Sequence, residues 1–313
     1  MKTIKYSIIA PVYNEEKSVI PFYKEIAQVM KKLKGNYEII FINDGSTDKT
    51  LEKLKTLSPV KIIDLNRNYG QSTALDAGFR KAQGKLIITM DTDMQNDPHD
   101  IPKLLKKLQE KNLDVVTGWR KVRKDEADIR ILSRIGNVFR KILISDSVHD
   151  TGCTLRVYRK QAAKSLEIQG EMHRYIVTLL RWKGFRIGEV IVNHRPRKYG
   201  KSKYHWQKAI KGFVDLLYVW FINKYSQRPL HLFGSIGIGS VFLGFLAEGW
   251  MIYEKLTRTI DLSNNAWFIL GFFLIIGGII FFSFGITLDL LIRTTIQTSP
   301  YQKRYYIREI IEK

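Results

Sequence analysis

Asp91 and Asp93 are the residues of this chain best placed to do chemistry. They stand one residue apart at the end of the apolar run Leu86-Ile87-Ile88-Thr89-Met90, and Gln95 follows. In a parallel α/β sheet, ligands sit beyond the carboxyl ends of the strands. Two hard carboxylate oxygens there can hold Mg²⁺ or Mn²⁺, which keeps waters and takes phosphate oxygens as its other ligands. The spacing points to metal-bound phosphate chemistry. The competing reading is a polar turn after a strand, because Asp-x-Asp is short and common. The elements around the motif decide between the two.

Those elements alternate. Apolar runs predict strands at 7–12, 37–42, 60–65, 86–90 and 114–118, and helical patterns fall at 18–33, 48–57, 71–82 and 102–111. Strands alternating with helices imply an α/β fold with a mostly parallel, doubly wound sheet. Polar residues then gather at the strand ends: Asn14 and Glu15, Asp44, Asn66 to Asn68, Asp91 and Asp93, Trp119 and Arg120. A parallel sheet brings all of them to one rim, which lifts the acidic motif above chance.

The single cysteine, Cys153, excludes an internal disulfide framework and fits a reducing compartment. It reads as a buried small residue rather than a nucleophile. A formal net charge of +21 leaves nucleic acid, an anionic membrane surface and a phosphorylated substrate as candidate partners. The run Tyr6 to Val12 is broken by Ser7 and Pro11, so no signal peptide is expected there.

Beyond about residue 228 the chain changes solvent. Residues 230–253 carry one charge, Glu248, and residues 266–292 one, Asp289. Roughly 20 apolar residues span a bilayer, so two transmembrane helices are expected. Gly234, Gly237, Gly239 and Gly244 in the first and Gly271, Gly277, Gly278 and Gly285 in the second would let them pack closely. Between Arg195 and Arg228 nine Lys/Arg face one acid, Asp215, while the 254–265 connection is neutral. The positive-inside rule puts the soluble part and the C-terminus in the cytoplasm. Trp206, Ile210, Phe213, Leu217 and Phe221 share a helical face, as in an amphipathic helix lying in the interface. Much of the positive charge is thereby assigned to membrane lipids, and no nucleic-acid module is found.

Pro11-Val12-Tyr13-Asn14-Glu15, Asn43-Asp44-Gly45-Ser46 and Met90-Asp91-Thr92-Asp93-Met94-Gln95, in this order, resemble the family 2 glycosyltransferases of GT-A fold. The stretches 150–156 (Asp-Thr-Gly-Cys-Thr-Leu-Arg) and 197–204 (Arg-Lys-Tyr-Gly-Lys-Ser-Lys-Tyr) narrow the resemblance to polyprenyl-phosphate glycosyltransferases. That branch includes dolichol-phosphate mannosyltransferases and bactoprenol glucosyltransferases. The resemblance implies a GT-A, Rossmann-like catalytic domain over residues 1–204 and an amphipathic helix over 205–228. A two-helix transmembrane hairpin follows over 229–292, and a basic tail over 293–313.

It also implies roles. Asp91 and Asp93, with Gln95, would hold a divalent cation, Mg²⁺ or Mn²⁺, on the donor diphosphate. Pro11, Tyr13, Asn14, Glu15 and Asp44 would contact the donor nucleoside. Arg120, Arg130, Arg197, Ser202 and Lys203 would grip phosphates, chiefly that of the lipid acceptor, with Arg134 an alternative to Arg130. His194 and Glu171 either line the site or make structural hydrogen bonds. The partners implied are a nucleotide sugar, a polyprenyl phosphate (undecaprenyl or dolichyl) and membrane lipids. The glycine-dotted spans leave a homo-oligomer open.

Processive synthases of the superfamily carry Gln-x-x-Arg-Trp. Here Arg181-Trp182 is preceded by Thr178, which speaks against a processive enzyme. The stretch 67–71 (Arg-Asn-Tyr-Gly-Gln) resembles branches that use UDP-sugars, so UDP-glucose or a related UDP-hexose is the expected donor, ahead of GDP-mannose. A non-catalytic membrane scaffold is the reading from another class, and the intact acidic and basic motifs argue against it.

Overall fold

A computed structural model describes residues 3–121, 148–168, 170–196, 228–258 and 265–298, with short pieces at 217–218, 220–221, 224–225 and 261–262. Arg130, Arg134, Arg197, Ser202, Lys203, the face from Trp206 to Phe213 and the tail beyond 298 lie outside the described residues. The chain divides into two compact units, Met1–Val219 and Trp220–Lys313.

The first unit is built on β1 (Tyr6–Val12), β2 (Tyr37–Asn43), β3 (Lys61–Asp64), β4 (Leu86–Thr89), β5 (Val115–Trp119), β6 (Arg156–Arg159) and β7 (Ile187–Ile191). Between them lie α1 (Val19–Lys32), α2 (Thr50–Lys55), α3 (Gln71–Lys81), α4 (Ile101–Glu110), α5 (Lys160–Lys164) and α6 (Ile176–Trp182). The strands form one sheet in the order β3-β2-β1-β4-β6-β5-β7. All neighbours run parallel except β6, which is antiparallel to both β4 and β5. The five strands and four helices expected for the first 120 residues are present within about two residues of their expected ends, as is usual for element boundaries. Strands β6 and β7 and the antiparallel insertion go beyond that expectation.

Every residue of β1 is buried, as a central parallel strand covered on both faces requires. Side chains alternate along it. Ile8, Ala10 and Val12 join Phe22, Ile26 and Met30 of α1 and Leu104 and Leu108 of α4 on one face. Ile9 joins Leu75 and Phe79 of α3, Tyr158 of β6 and Ile176 and Leu180 of α6 on the other. These two cores clamp the sheet and hold its carboxyl-end rim in place.

The second unit contains two helices long and apolar enough to cross a membrane, α7 (Pro229–Arg258) and α8 (Ala266–Thr298). Only 17% of each apolar window is buried, so most of that surface faces outward. The two helices pack along a seam of small residues. A Cβ on Gly237 would lie 2.6 Å from the carbonyl oxygen of Gly278, and one on Gly278 would lie 2.5 Å from that of Gly237. Such contact is open only to glycine, the close approach expected of transmembrane pairs. Gly277 faces open space. Gly278→Leu is therefore expected to destabilise the hairpin by about 1–3 kcal/mol, the usual cost of overpacking, while Gly277→Leu leaves it unchanged. Thermal unfolding of the detergent-solubilised protein compares the two.

Candidate active site

Strands β1 to β4 are parallel and end together, so the loops 13–15, 43–46, 66–70 and 91–97 share one rim. Local bonds tie these loops to each other. Asn14, at φ +54°, donates its backbone N–H to the Ser46 hydroxyl (3.0 Å), and its side chain accepts from the Thr47 N–H (2.8 Å). The Glu15 N–H donates to the Thr50 hydroxyl at 2.9 Å. Gly45 sits at φ +64°, and a Cβ there would lie 2.3 Å from the Arg67 carbonyl carbon, so both its conformation and its neighbour demand glycine.

Asp44 is buried, and its carboxylate accepts from the backbone N–H groups of Tyr69 (2.8 Å) and Gly70 (2.9 Å). It therefore shapes the 66–70 loop directly. The Tyr13 ring is exposed, 42% accessible, whereas Pro11 is buried within β1.

The acidic motif sits at the centre of the rim. Asp91 accepts from the Gln71 side-chain amide at 2.7 Å, and its backbone N–H points at the Thr154 hydroxyl. That hydroxyl also accepts from the Asn96 amide at 2.8 Å. Asp93 accepts from the Gln95 N–H at 3.1 Å. Between them Met94 is buried with φ at +64°, a strained turn that aims the two carboxylates. Burial, then the charge of Asp93, pushes Asp91 up to about 7, against the Thr154 bond and the charges of Arg156 and Arg120. A pair of carboxylates that resist joint ionisation is relieved by a shared cation. Among the described residues no three His, Cys, Asp or Glu side chains cluster as a metal cage. A cation here would take protein oxygens from Asp91 and Asp93 and the rest from substrate or water, which suits Mg²⁺ or Mn²⁺.

Arg120 stands beside this pair, bound to Asp150 in a bidentate fork (Nε–Oδ2 2.7 Å, Nη2–Oδ1 3.0 Å). The Asp150 side chain is 2% exposed and that of Arg120 16%. Arg120 thus reaches the site as half of a neutral pair. Beyond it, the Arg195 N–H donates to the Gln95 carbonyl (2.8 Å), and Asn96 bridges His194. The Arg195 guanidinium grips Glu25 (2.8 Å) and Asp97 (2.7 Å). Burial opposes it, yet bonds from His99 and Asn193 and the Arg195 charge hold Asp97 down at about 2. His194 is buried in this lattice, and Glu171 pairs with Arg174 at 3.0 Å. Cys153 is fully buried, and desolvation pushes its thiol up to about 11, which makes it inert.

Several residues of the site had no role assigned from the sequence. Gln71, Ser72, Thr154, Arg156 and His173 all lie around Asp91. Thr154 lies just before β6 and Arg156 opens it, and the antiparallel course of that strand was not foreseen. Gln71 and Ser72 come from the first turn of α3. A polar first turn facing the rim was the available signal.

An α/β sheet of this order, with paired carboxylates at the centre of its rim, defines a nucleotide-sugar transferase of the GT-A class. The fold matches glucosyl-3-phosphoglycerate synthase from Mycobacterium tuberculosis, solved with Mn²⁺, UDP and glucosyl-3-phosphoglycerate. The TM-score is 0.54 at 16% identity, over 70% of this chain and 80% of that one. The model of "Glycosyl transferase family 2" matches residues 7–167. The dodecaprenyl-phosphate galacturonate synthase of Rhizobium johnstonii is 34% identical, over all of this chain and 94% of the relative. An undecaprenyl-phosphate 4-deoxy-4-formamido-L-arabinose transferase of Yersinia pestis is 36% identical over 77% of this chain and 73% of the relative. The chain belongs to glycosyl transferase family 2, and its near relatives are polyprenyl-phosphate sugar transferases, as the motifs had indicated.

Two outcomes test this geometry. Arg120→Met strands a buried carboxylate and is expected to cost about 3–5 kcal/mol, part of which Arg120→Met/Asp150→Leu recovers; denaturant unfolding measures both. A carboxyl raised in the folded state binds more protons there than in the unfolded chain. Metal-free stability should therefore fall as pH rises from about 4, the unfolded value, to the about 7 of Asp91. Asp91→Asn should flatten that slope in thermal unfolding across pH.

Proposed function

We propose that this protein transfers a hexose from a nucleotide sugar, UDP-glucose or a related UDP-hexose, to a polyprenyl phosphate, with inversion at the anomeric carbon. The observation that carries it is the Asp91/Asp93 pair held at the rim beside Gln71, Thr154 and the Arg120–Asp150 pair. The likeness to relatives named for dodecaprenyl and undecaprenyl phosphates supports the acceptor class. Those relatives are named for galacturonate and 4-deoxy-4-formamido-L-arabinose, so both belong in any donor panel beside glucose and mannose.

In this reading Asp91 and Asp93, with Gln95, hold the divalent cation. When bound, it supplies Lewis-acid stabilisation to the departing nucleoside diphosphate. The Pro11–Glu15 loop, Tyr13 and Asn14 included, receives the nucleoside together with the loop that Asp44 shapes. Arg120, Arg130, Arg197, Ser202 and Lys203 are assigned to phosphate, chiefly the acceptor's, with Arg120 positioned through Asp150. A phosphate acceptor is already ionised near neutral pH, so the need for a strong general base falls away. What remains is alignment: one acceptor oxygen aimed at the anomeric carbon, opposite the leaving group.

The two apolar helices and the basic 195–228 stretch support a reading in which the protein sits in a membrane with its catalytic unit on the cytoplasmic side. Labelling of single cysteines introduced in the 254–265 connection or in the catalytic unit, in a Cys153→Ser background, reports that orientation.

The test is incubation of detergent-solubilised protein with Mn²⁺ or Mg²⁺, undecaprenyl or dolichyl phosphate, and the donor panel. Mass spectrometry should show one glycosyl phospholipid, formed only with metal. Asp93→Asn should reduce transfer at least about 100-fold, as loss of a key electrostatic group does, with expression and membrane insertion intact. An Asp93→Asn protein that supports full function would favour the scaffold. A product that keeps the donor's anomeric configuration would refute the single displacement.

A further inference from the structure

Arg156 opens β6 behind the acidic motif and is buried, 3% exposed. Its Nη2 donates to the Thr151 carbonyl at 2.6 Å and its Nη1 to the His173 carbonyl at 3.5 Å. Its Nε–H is buried with no partner. With Gln71, Thr89, Asp91, Thr154 and His173 it lines a small cavity of about 10 Å³. Among the described residues no carboxylate forms an ion pair with it. A buried guanidinium satisfied only by carbonyls is costly, so its charge must act on something nearby. The carboxylate across that cavity is Asp91.

Among the described residues Arg120 is the other cation whose charge reaches Asp91. The His173 backbone N–H donates to the Ser72 hydroxyl, and His173 Nδ1 lies against the same oxygen, both at 3.0 Å. Burial, then the charges of Arg174 and Arg156, pushes the imidazole down to about 3, so the ring is neutral. Arg120 is neutralised by Asp150. The carboxylate pair and Arg156 together carry one net negative charge, a poor trap for a free dication. A nucleoside diphosphate adds the negative oxygens that make one.

We propose that Arg156 sets the order of metal capture: its permanent charge keeps the affinity of Asp91 and Asp93 for the free ion low, so that the cation enters and leaves together with the nucleoside diphosphate. The proposal rests on the glycosyl-transfer reading of the site. Its sign follows from charge. Removing Arg156 lets protons hold Asp91 more tightly, which competes with metal, but a dication gains twice what a proton gains from the same lost repulsion. Free-metal affinity must rise. Arg156 is a positioning residue, since it acts through Asp91.

The test is Mn²⁺ binding to the full detergent-solubilised chain at pH 8, followed by the EPR signal of free Mn²⁺, with and without UDP. Wild type should bind Mn²⁺ at least about ten-fold more tightly with UDP than without it. Arg156→Gln should bind Mn²⁺ alone about ten-fold more tightly than wild type, and UDP should then help less. Arg156→Lys should behave as wild type. Structural damage loosens a site, so tightening separates the electrostatic role from a merely structural one. A folded Arg156→Gln protein with unchanged or weaker binding of Mn²⁺ alone overturns the proposal. So does a wild type that binds Mn²⁺ equally with and without UDP, an outcome that needs no variant to fold. A wild type that binds no Mn²⁺ even with UDP removes the UDP-sugar reading of the site, and the proposal with it.

Discussion

Two carboxylates one residue apart, at the buried end of a central strand, repel each other, and the catalytic unit is arranged around that repulsion. Water would screen it, but partial burial at the end of β4 limits that screening and raises Asp91 to about 7. Gln71 donates to the Asp91 carboxylate, the Asp91 N–H points at the Thr154 hydroxyl, the Gln95 N–H donates to Asp93, and Met94 takes a strained turn to aim them. A site held in this state has a standing demand for a cation. The demand is moderate, because Arg156 stands behind Asp91 while Arg120 and Asp150 cancel.

The antiparallel insertion of β6 makes this possible. Were the sheet parallel throughout, the strand beside β4 would bring another crossover loop to the rim. Running the other way, β6 begins at the rim instead, so Thr154 and Arg156 arrive directly against Asp91. The same reversal places the Asp150–Gly152 turn beside the end of β5, where Asp150 meets Arg120. On the other side, Asp44 uses both oxygens on backbone amides of the 66–70 loop, and Gly45 lets that loop pass within contact distance. The rim is a set of loops cross-linked by short polar bonds, over two apolar cores that do not give.

The second unit follows different physics. Its helices present most of their apolar surface outward and meet each other along glycine, where backbone touches backbone. Close packing without large side chains is the association open to helices that gain nothing from leaving hydrocarbon. A chain with one unit made for water and one for lipid suits a reaction that joins a soluble donor to a lipid phosphate.

Residue type and spacing alone determined the alternation of strands and helices, the polar rim, the Asp91/Asp93 motif and the two apolar spans. Each is local: periodicity, strand-end polarity and length are written within about 30 residues. Tertiary structure decided the rest. That Asp44 serves the backbone of its neighbouring loop, that Arg120 is held by Asp150, and that Arg156 and His173 stand behind Asp91 depend on partners 17 to 101 positions apart. No periodicity records such pairings. They arise because one strand runs against its neighbours, and its direction is set by how the whole sheet closes its core.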